Sequence, residues 1–207
     1  MARSGPRGLP PAERRRRIEQ AATELFATVG YDATTVDDIV AAAGLTKPML
    51  YRHFESKQEL FISLLERYRD QLAGAPLSSY DAEAAERRGQ IDPLIVAWLG
   101  HTREHPDATR LLFGRASGDT EVERAQRDIH ARQRATLTAL VREFAPGLTG
   151  TDAELAGAVT HAGLAAVALW WIEHPDIPGE IPVGVLSRMV HGLIDVREGD
   201  STRIEAQ

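Results

Sequence analysis

The sequence predicts an all-α protein: an N-terminal three-helix helix-turn-helix domain followed by a larger helical body. Three observations predict this. Apolar residues recur at i, i+3, i+4 and i+7 through most of the chain. Capping signatures of the type Ser/Thr-x-x-Asp/Glu precede several of these stripes. No stretch shows the alternation of a half-buried strand, and no internal repeat is visible. The expected organisation is an arm at 1–11, a head at 12–73, a body at 74–196 and a tail at 197–207.

The arm is rich in Arg, Gly and Pro. From Ala12 the pattern turns helical, with Ile18, Ala21, Ala22, Leu25, Phe26 and Val29 on one face and Gly30 where a C-cap belongs. Thr34 or Thr35 caps a second helix, and Asp38 lies three residues after Thr35. This short helix turns Val36, Ile39, Val40 and Ala43 inward, and Gly44 permits a positive φ at the turn that follows. Leu45 anchors the turn, Thr46 caps the third helix, and Pro48 sits in its first turn, where a missing N–H costs nothing. Leu50 and Phe54 point inward. Two short helices meeting at a glycine over residues 35–54 form a device for placing one helix in the major groove of DNA. Ser56-Lys-Gln-Glu59 is a capping box opening a fourth helix, with Leu60, Phe61, Leu64, Leu65, Tyr68 and Leu72 as its stripe.

Residues 74–92 mix Pro, Gly, Ser and charge and read as a boundary or a long connection. Helices are then expected over about 92–105, ending at Pro106, and over about 107–116. Thr120-Glu-Val-Glu123 is a capping box for a helix to about 144, with Val122, Ile129, Leu137, Leu140, Val141 and Phe144 on one face. Thr151-Asp-Ala-Glu154 opens a helix to about 174, and Pro182 starts the last helix, which ends near 196.

Hydrophobic content of 43% with 26% charged residues is ordinary for a water-soluble globular chain. No apolar run long enough to span a bilayer is expected, and the N-terminus lacks the apolar stretch of a secretory signal. With no cysteine, disulfides and thiolate catalysis are excluded, and the cytoplasm is the expected compartment. The net charge of −6 is unevenly spread: residues 1–70 carry 11 Lys+Arg against 10 Asp+Glu, and residues 71–207 carry 13 against 20. A near-neutral head with local basic patches can bind phosphates while an acidic body repels them.

Residues 14–65 resemble the DNA-binding head of TetR-type transcriptional regulators. The resemblance rests on Ile18, Ala22 and Leu25-Phe26, on Gly30-Tyr31, Thr35-Val36 and Ile39, and on Ala43-Gly44-Leu45. It continues through Leu50-Tyr51-Arg52-His53-Phe54, Ser56-Lys57 and Leu60. The rest of the chain is similar in length and helical character only. At positions 48 and 49 many members carry a small pair such as Gly-Thr, whereas this chain has Pro48-Met49. Met49 offers no hydrogen bond, but its methylene surface can meet a thymine methyl.

The residues expected at DNA are Thr35, Thr46, Lys47, Pro48, Met49, Tyr51, Arg52, His53 and Lys57. Lys47, near the start of the recognition helix, can donate to guanine O6 and N7, or be a solvated surface lysine. Lys47 and Lys57 are the only lysines in the chain. The resemblance places Tyr51 and His53 at phosphate and groove edge. Arg52 reaches phosphate or base, or lies on the outer face. Thr35, Thr46 and Lys57 stand at helix N-termini, where backbone N–H groups bind phosphate. Arg14 to Arg17 supply nonspecific attraction, a solvated helix face, or both.

In the body, Trp98, His101, Phe113, Phe144 and Trp170 are the candidates for an apolar effector pocket, against the alternative of a packed core. His101-Thr-Arg-Glu-His105 matches a zinc-protease pattern, H-x-x-E-H, but Pro106 ends the helix at once and no third ligand is visible. No catalytic residue, metal or cofactor is therefore expected. The resemblance implies that the last two helices, about 151–174 and 182–196, pair with those of a second copy. A symmetric dimer is also attractive because one short recognition helix touches few bases. The expected function is a dimeric, ligand-responsive regulator, chiefly a repressor, on a palindromic operator, released by a small, largely apolar effector and without a membrane role. The competing readings are an enzyme or metal-binding protein using His101 and His105 with an appended head, or a helical protein-interaction module.

Overall fold

The computed structural model describes residues 9–77, 89, 91–114 and 118–195. The predicted tail and most of the predicted arm lie outside them, as does much of the 74–92 connection. Among the described residues there are nine helices and no strand: α1 Pro11–Thr28, α2 Val36–Ala43, α3 Lys47–Tyr51, α4 Lys57–Leu77, α5 Ile91–Glu104, α6 Pro106–Phe113, α7 Thr120–Phe144, α8 Gly150–Glu173 and α9 Glu180–Ile194.

The chain divides into two compact units. One comprises Met1–Gln71 with His105–Ile129, the other Leu72–Glu104 with His130–Gln207. The boundary expected near residue 73 thus leaves out one feature: α6 and the first part of α7 group with the head.

In the first unit the helical stripes become one core. Ile18, Ala22 and Phe26 of α1, Ile39 and Val40 of α2, Leu50 of α3, Phe54, and Leu60, Phe61, Leu64 and Leu65 of α4 are all buried. Leu111 and Leu112 of α6 and Val122 and Ile129 of α7 are buried as well. Phe26 meets Phe61 edge-on at 5.0 Å between ring centroids, and Tyr31 lies 4.9 Å from Phe61. Tyr31 therefore closes the core beneath the loop leading into α2. Its burial, with Asp119 next in effect, pushes its phenol up to about 12.

The second unit packs Ile91, Ile95 and Leu99 of α5 against Phe144 of α7, Leu164, Ala168 and Trp171 of α8, and Leu186 and Ile194 of α9. Gly157 of α8 lets the α7 backbone approach: a Cβ there would lie 2.9 Å from Thr138 Cα. Such contact needs a residue without a side chain. The Trp171 indole donates to the Ile177 carbonyl at 2.9 Å, and the Arg103 guanidinium lies 4.6 Å over its ring.

Contrary to the sequence expectation, α8 is by length and composition long and apolar enough to cross a bilayer. The reason is its composition: alanines, leucines and valines raise its hydropathy, while interspersed Gly, Thr and His residues break up any conspicuous apolar run. Its inner side, with Ala153, Ala156, Leu164, Ala168 and Trp171 buried, is core.

Three capping predictions shift. Thr120 lies inside α7, and Asp119 caps it by accepting from the N–H groups of Glu121 and Val122 at 3.0 and 3.2 Å. The box at α4 is half formed: Glu59 N–H donates to Ser56 Oγ at 3.0 Å, while the Glu59 carboxylate accepts from the Glu55 N–H. At α8 the helix starts one residue early, at Gly150, and no side-chain cap forms at Thr149.

Candidate nucleic-acid interface

The turn between α2 and α3 follows from three residues. Thr35 and Asp38 form a complete capping box at the start of α2: the Asp38 N–H donates to Thr35 Oγ1 at 3.2 Å, and the Thr35 N–H donates to Asp38 Oδ2 at 2.9 Å. The Thr35 hydroxyl also donates to Asp38 Oδ2 at 2.6 Å, and this bond first, then the Thr35 N–H, holds the Asp38 carboxyl below the usual carboxylate range. Gly44 ends α2 with φ of +65° and ψ of 35°, a left-handed conformation that costs a residue with a Cβ about 1–2 kcal/mol. Leu45 then plugs into the core, and Thr46 opens α3 in an extended conformation. The Thr46 side chain makes no capping hydrogen bond.

Leu50 is fully buried and fixes the rotation of α3. The same rotation leaves Lys47, Pro48, Tyr51 and Arg52 exposed and Met49 half-buried. Lys47 Nζ is 2.9 Å from Asp37 Oδ2, and this hydrogen-bonded carboxylate raises the lysine pKa. Asp37 lies in the first turn of α2, so the pairing spans the turn and was invisible in the local pattern. Both groups are exposed, and a solvated ion pair of this kind opens readily.

His53 is half-buried rather than aimed freely outward. Burial first, then the nearby Arg14 and Arg15, push its imidazole below the usual histidine range. It is therefore neutral at neutral pH and offers a hydrogen bond, not a charge.

Lys57 departs most from expectation. Its ammonium donates to the carbonyls of Tyr31 at 2.8 Å and Thr34 at 2.9 Å, and it lies 4.1 Å over the Tyr31 ring. The side chain fastens the start of α4 to the loop before α2 instead of pointing at a phosphate. The Arg14–Arg17 run is similarly engaged. Glu13 serves both Arg16 and Arg17, whose hydrogen bonds hold its carboxyl down at about 2. Arg15 pairs with Glu19 at 2.9 Å, and Arg14 donates to the Leu9 carbonyl at 2.7 Å. One carboxylate shared by two arginines still leaves positive charge in excess on this face.

The sequence offered no local signal for the node at Asp119. Gln58 donates to it at 3.0 Å in addition to the two α7 N–H groups, and the Val122 N–H is the leading cause of its lowered pKa. The Gly118 N–H donates to Asp32 at 3.0 Å. The start of α7 is thereby tied to α4 and to the loop that carries Tyr31.

The expected effector residues divide. Trp98 packs half-buried against the core that contains Phe144. Trp170 is corrected: it is 43% exposed and stacks on His174 at 4.2 Å, whereas Trp171 is the buried tryptophan. Leu164, Ala168 and Trp171 share one helix face, a spacing already present in the sequence. Phe113 belongs to the unit that contains the head, and His101 is half-buried on α5. His105 leaves the helical conformation, with φ of −126° and ψ of 62°, to open α6. Thr160 of α8, missed by sequence reasoning, is 5% exposed, and its hydroxyl has no hydrogen-bond partner among the described residues.

Residues 18–64 match the family model of bacterial regulatory proteins, tetR family, and residues 90–199 match that of the tetracyclin repressor-like C-terminal domain. The chain belongs to the TetR family. It is 32% identical over 198 residues to the transcriptional repressor SCO4008 of Streptomyces coelicolor, a match covering 94% of this chain and 96% of that protein. It is 34% identical over 105 residues to the transcriptional activator FasR of Mycolicibacterium smegmatis, covering 51% of this chain and 48% of FasR. The match to the repressor KstR2 of the same organism, at 42% identity, spans only 31% of either protein. Among solved structures, a TetR-like transcriptional regulator from Rhodococcus sp. RHA1 superposes with a TM-score of 0.74 at 25% identity, covering 89% of this chain and 98% of that one. This TetR-family member is a DNA-binding transcriptional regulator with a helix-turn-helix head and a helical C-terminal domain.

Proposed function

We propose that this TetR-family protein is a cytoplasmic homodimer that represses transcription from a palindromic operator and is released by a small, largely apolar effector. The observation that carries the DNA reading is the rotation of α3. Leu50 is locked in the core, so Lys47, Pro48, Tyr51 and Arg52 form an exposed tip beside the left-handed Gly44 turn. Lys47 exchanges Asp37 for a guanine edge, Met49 meets a thymine methyl, and Tyr51, Arg52, His53 and the hydroxyl of Thr46 contact phosphate or groove edge. Thr35 contributes chiefly its helix N-terminus, since its hydroxyl is engaged in the capping box. Lys57 positions this surface from behind.

Dimerisation is assigned to α8 and α9. Leu155 and Val159 of α8 and Ile181 and Val185 of α9 are large apolar residues exposed in the single chain. Two heads on one symmetric dimer reach successive major-groove turns about 34–36 Å apart. The effector is assigned to the second unit, with Trp98 and Phe144 as apolar contacts and the unpartnered Thr160 hydroxyl as the polar anchor. The Asp119 node, at the start of α7, is where a movement of that helix meets the head. Repression follows the names of SCO4008 and KstR2; FasR shows that an activator also occurs among the relatives. No catalytic role is assigned to His101 or His105.

Fluorescence anisotropy of the full chain on an inverted-repeat operator, followed across salt, tests this reading. Tight binding whose logarithm falls linearly with that of salt is expected. Absent or salt-independent binding would turn the head into a protein-contact module.

A further inference from the structure

The second unit holds a histidine pair that the regulator reading does not use. His130 Nδ1 of α7 and His161 Nε2 of α8 lie 3.4 Å apart, and the Gln133 Oε1 is 3.2 Å from the same His161 nitrogen. His130 and Gln133 are i, i+3 neighbours on one face of α7. The two rings stand edge to face, 75° apart with centroids at 5.3 Å, so that nitrogens rather than ring faces converge.

The separation is long for a hydrogen bond, whose N–H donors usually sit about 2.7–3.2 Å from their acceptors. It fits a different bond. Two imidazole nitrogens bound to one zinc ion at about 2.0–2.1 Å, at a tetrahedral angle, lie about 3.3–3.4 Å apart. An octahedral site with the same bond lengths would bring them to about 2.9 Å. The amide oxygen of Gln133, 3.2 Å from His161 Nε2, lies along a second edge of similar length. We infer that His130, His161 and Gln133 form a binding site for a zinc-type divalent transition metal bridging α7 and α8, with water completing the tetrahedron.

The electrostatics favour the ligand form of both rings. Burial is the leading cause that pushes His130 below the usual histidine range and His161 down to about 4, so both imidazoles are neutral at neutral pH. Ligation then requires the remaining proton of His130 on Nε2 and that of His161 on Nδ1. Arg134 opposes a cation here, but it is exposed and screened by solvent. Two imidazoles with one neutral oxygen select the zinc and copper end of the divalent series over magnesium or calcium, which take oxygen ligands.

The test is competition for zinc(II) between the full-length protein and a chromophoric chelator. The background is His101→Asn with His105→Asn, which silences the other closely spaced histidines. One zinc per chain is expected, with at least a tenfold loss of affinity in His130→Asn and in His161→Asn and a smaller loss in Gln133→Ala. Retention of the zinc affinity by correctly folded His130→Asn and His161→Asn proteins would overturn the assignment. If those variants do not fold, a 15N histidine NMR titration of the background protein decides. Shifts at His130 Nδ1 and His161 Nε2 on adding one equivalent of zinc support the site, and zinc that leaves both nitrogens unmoved refutes it.

Discussion

Replacing Lys57 by Met separates a fastening role from a phosphate contact. The substitution keeps the length of the side chain and removes its ammonium. Two hydrogen bonds are lost, to the Tyr31 and Thr34 carbonyls at 2.8 and 2.9 Å, together with the cation over the Tyr31 ring at 4.1 Å. A hydrogen bond to a charged group contributes about 1.5–3 kcal/mol, and the side chain is only half-buried, so the low end applies. The exposed cation–π contact adds about 0.5–1 kcal/mol. The expected total is about 3.5–4 kcal/mol, or a fall in Tm of roughly 7–16 °C for a chain of this size. Urea and thermal denaturation measure it. Well below the new Tm, the salt slope of operator binding should match that of the parent protein, because no phosphate contact has been removed. A lysine on a phosphate would lower that slope by about 0.9. A variant with unchanged stability and a reduced slope would refute the reasoning and return Lys57 to the DNA surface.

Other perturbations test separate parts of the account. Gly157→Ala drives a methyl into the Thr138 backbone, and overpacking of this kind should cost about 1–3 kcal/mol in urea denaturation; a neutral or stabilising effect would deny the close approach of α7 and α8. Leu155→Arg with Val185→Arg places charge on the exposed apolar face of α8 and α9; sedimentation should report monomers and operator affinity should collapse, whereas an intact dimer would place the interface elsewhere. Stability should fall as the pH drops from about 6.5 towards about 4. His161 keeps its folded-state pKa near 4 while the unfolded chain takes up its proton near 6.5, so protons favour unfolding in that window. His161→Gln should flatten this part of the pH–stability profile, and an unchanged profile would deny that His161 is buried in its neutral form.

What was legible in the sequence is what local chemistry decides. The Thr35–Asp38 box and the left-handed Gly44 depend on neighbours within four residues, and both stand where the pattern put them. The apolar stripes of α1, α2 and α4 became the core of the first unit because a helix with one apolar face has few ways to bury it. The misses are long-range or a matter of register. Lys57 stands at a helix N-terminus, as expected, but the carbonyls that capture it come from residues 26 and 23 positions away. Trp170 and Trp171 are adjacent and differ only in which side of α8 they occupy; the Leu164–Ala168 spacing carried that information and composition did not. Asp119 outcompeted Thr120 as the α7 cap because its carboxylate also takes up Gln58, from a helix more than sixty residues earlier in the chain.

The most direct measurement of the central claim is selection of binding sites from random duplex DNA by the full-length protein and by Lys47→Ala. The account predicts an enriched inverted repeat, with half-sites one helical turn or a multiple of it apart, bound by two chains. It also predicts that Lys47→Ala relaxes one base position in each half-site, symmetrically, and leaves the rest of the sequence in place. No enrichment, or the same fully specified sequence for both proteins, would contradict the claim that the exposed tip of α3 reads DNA through Lys47.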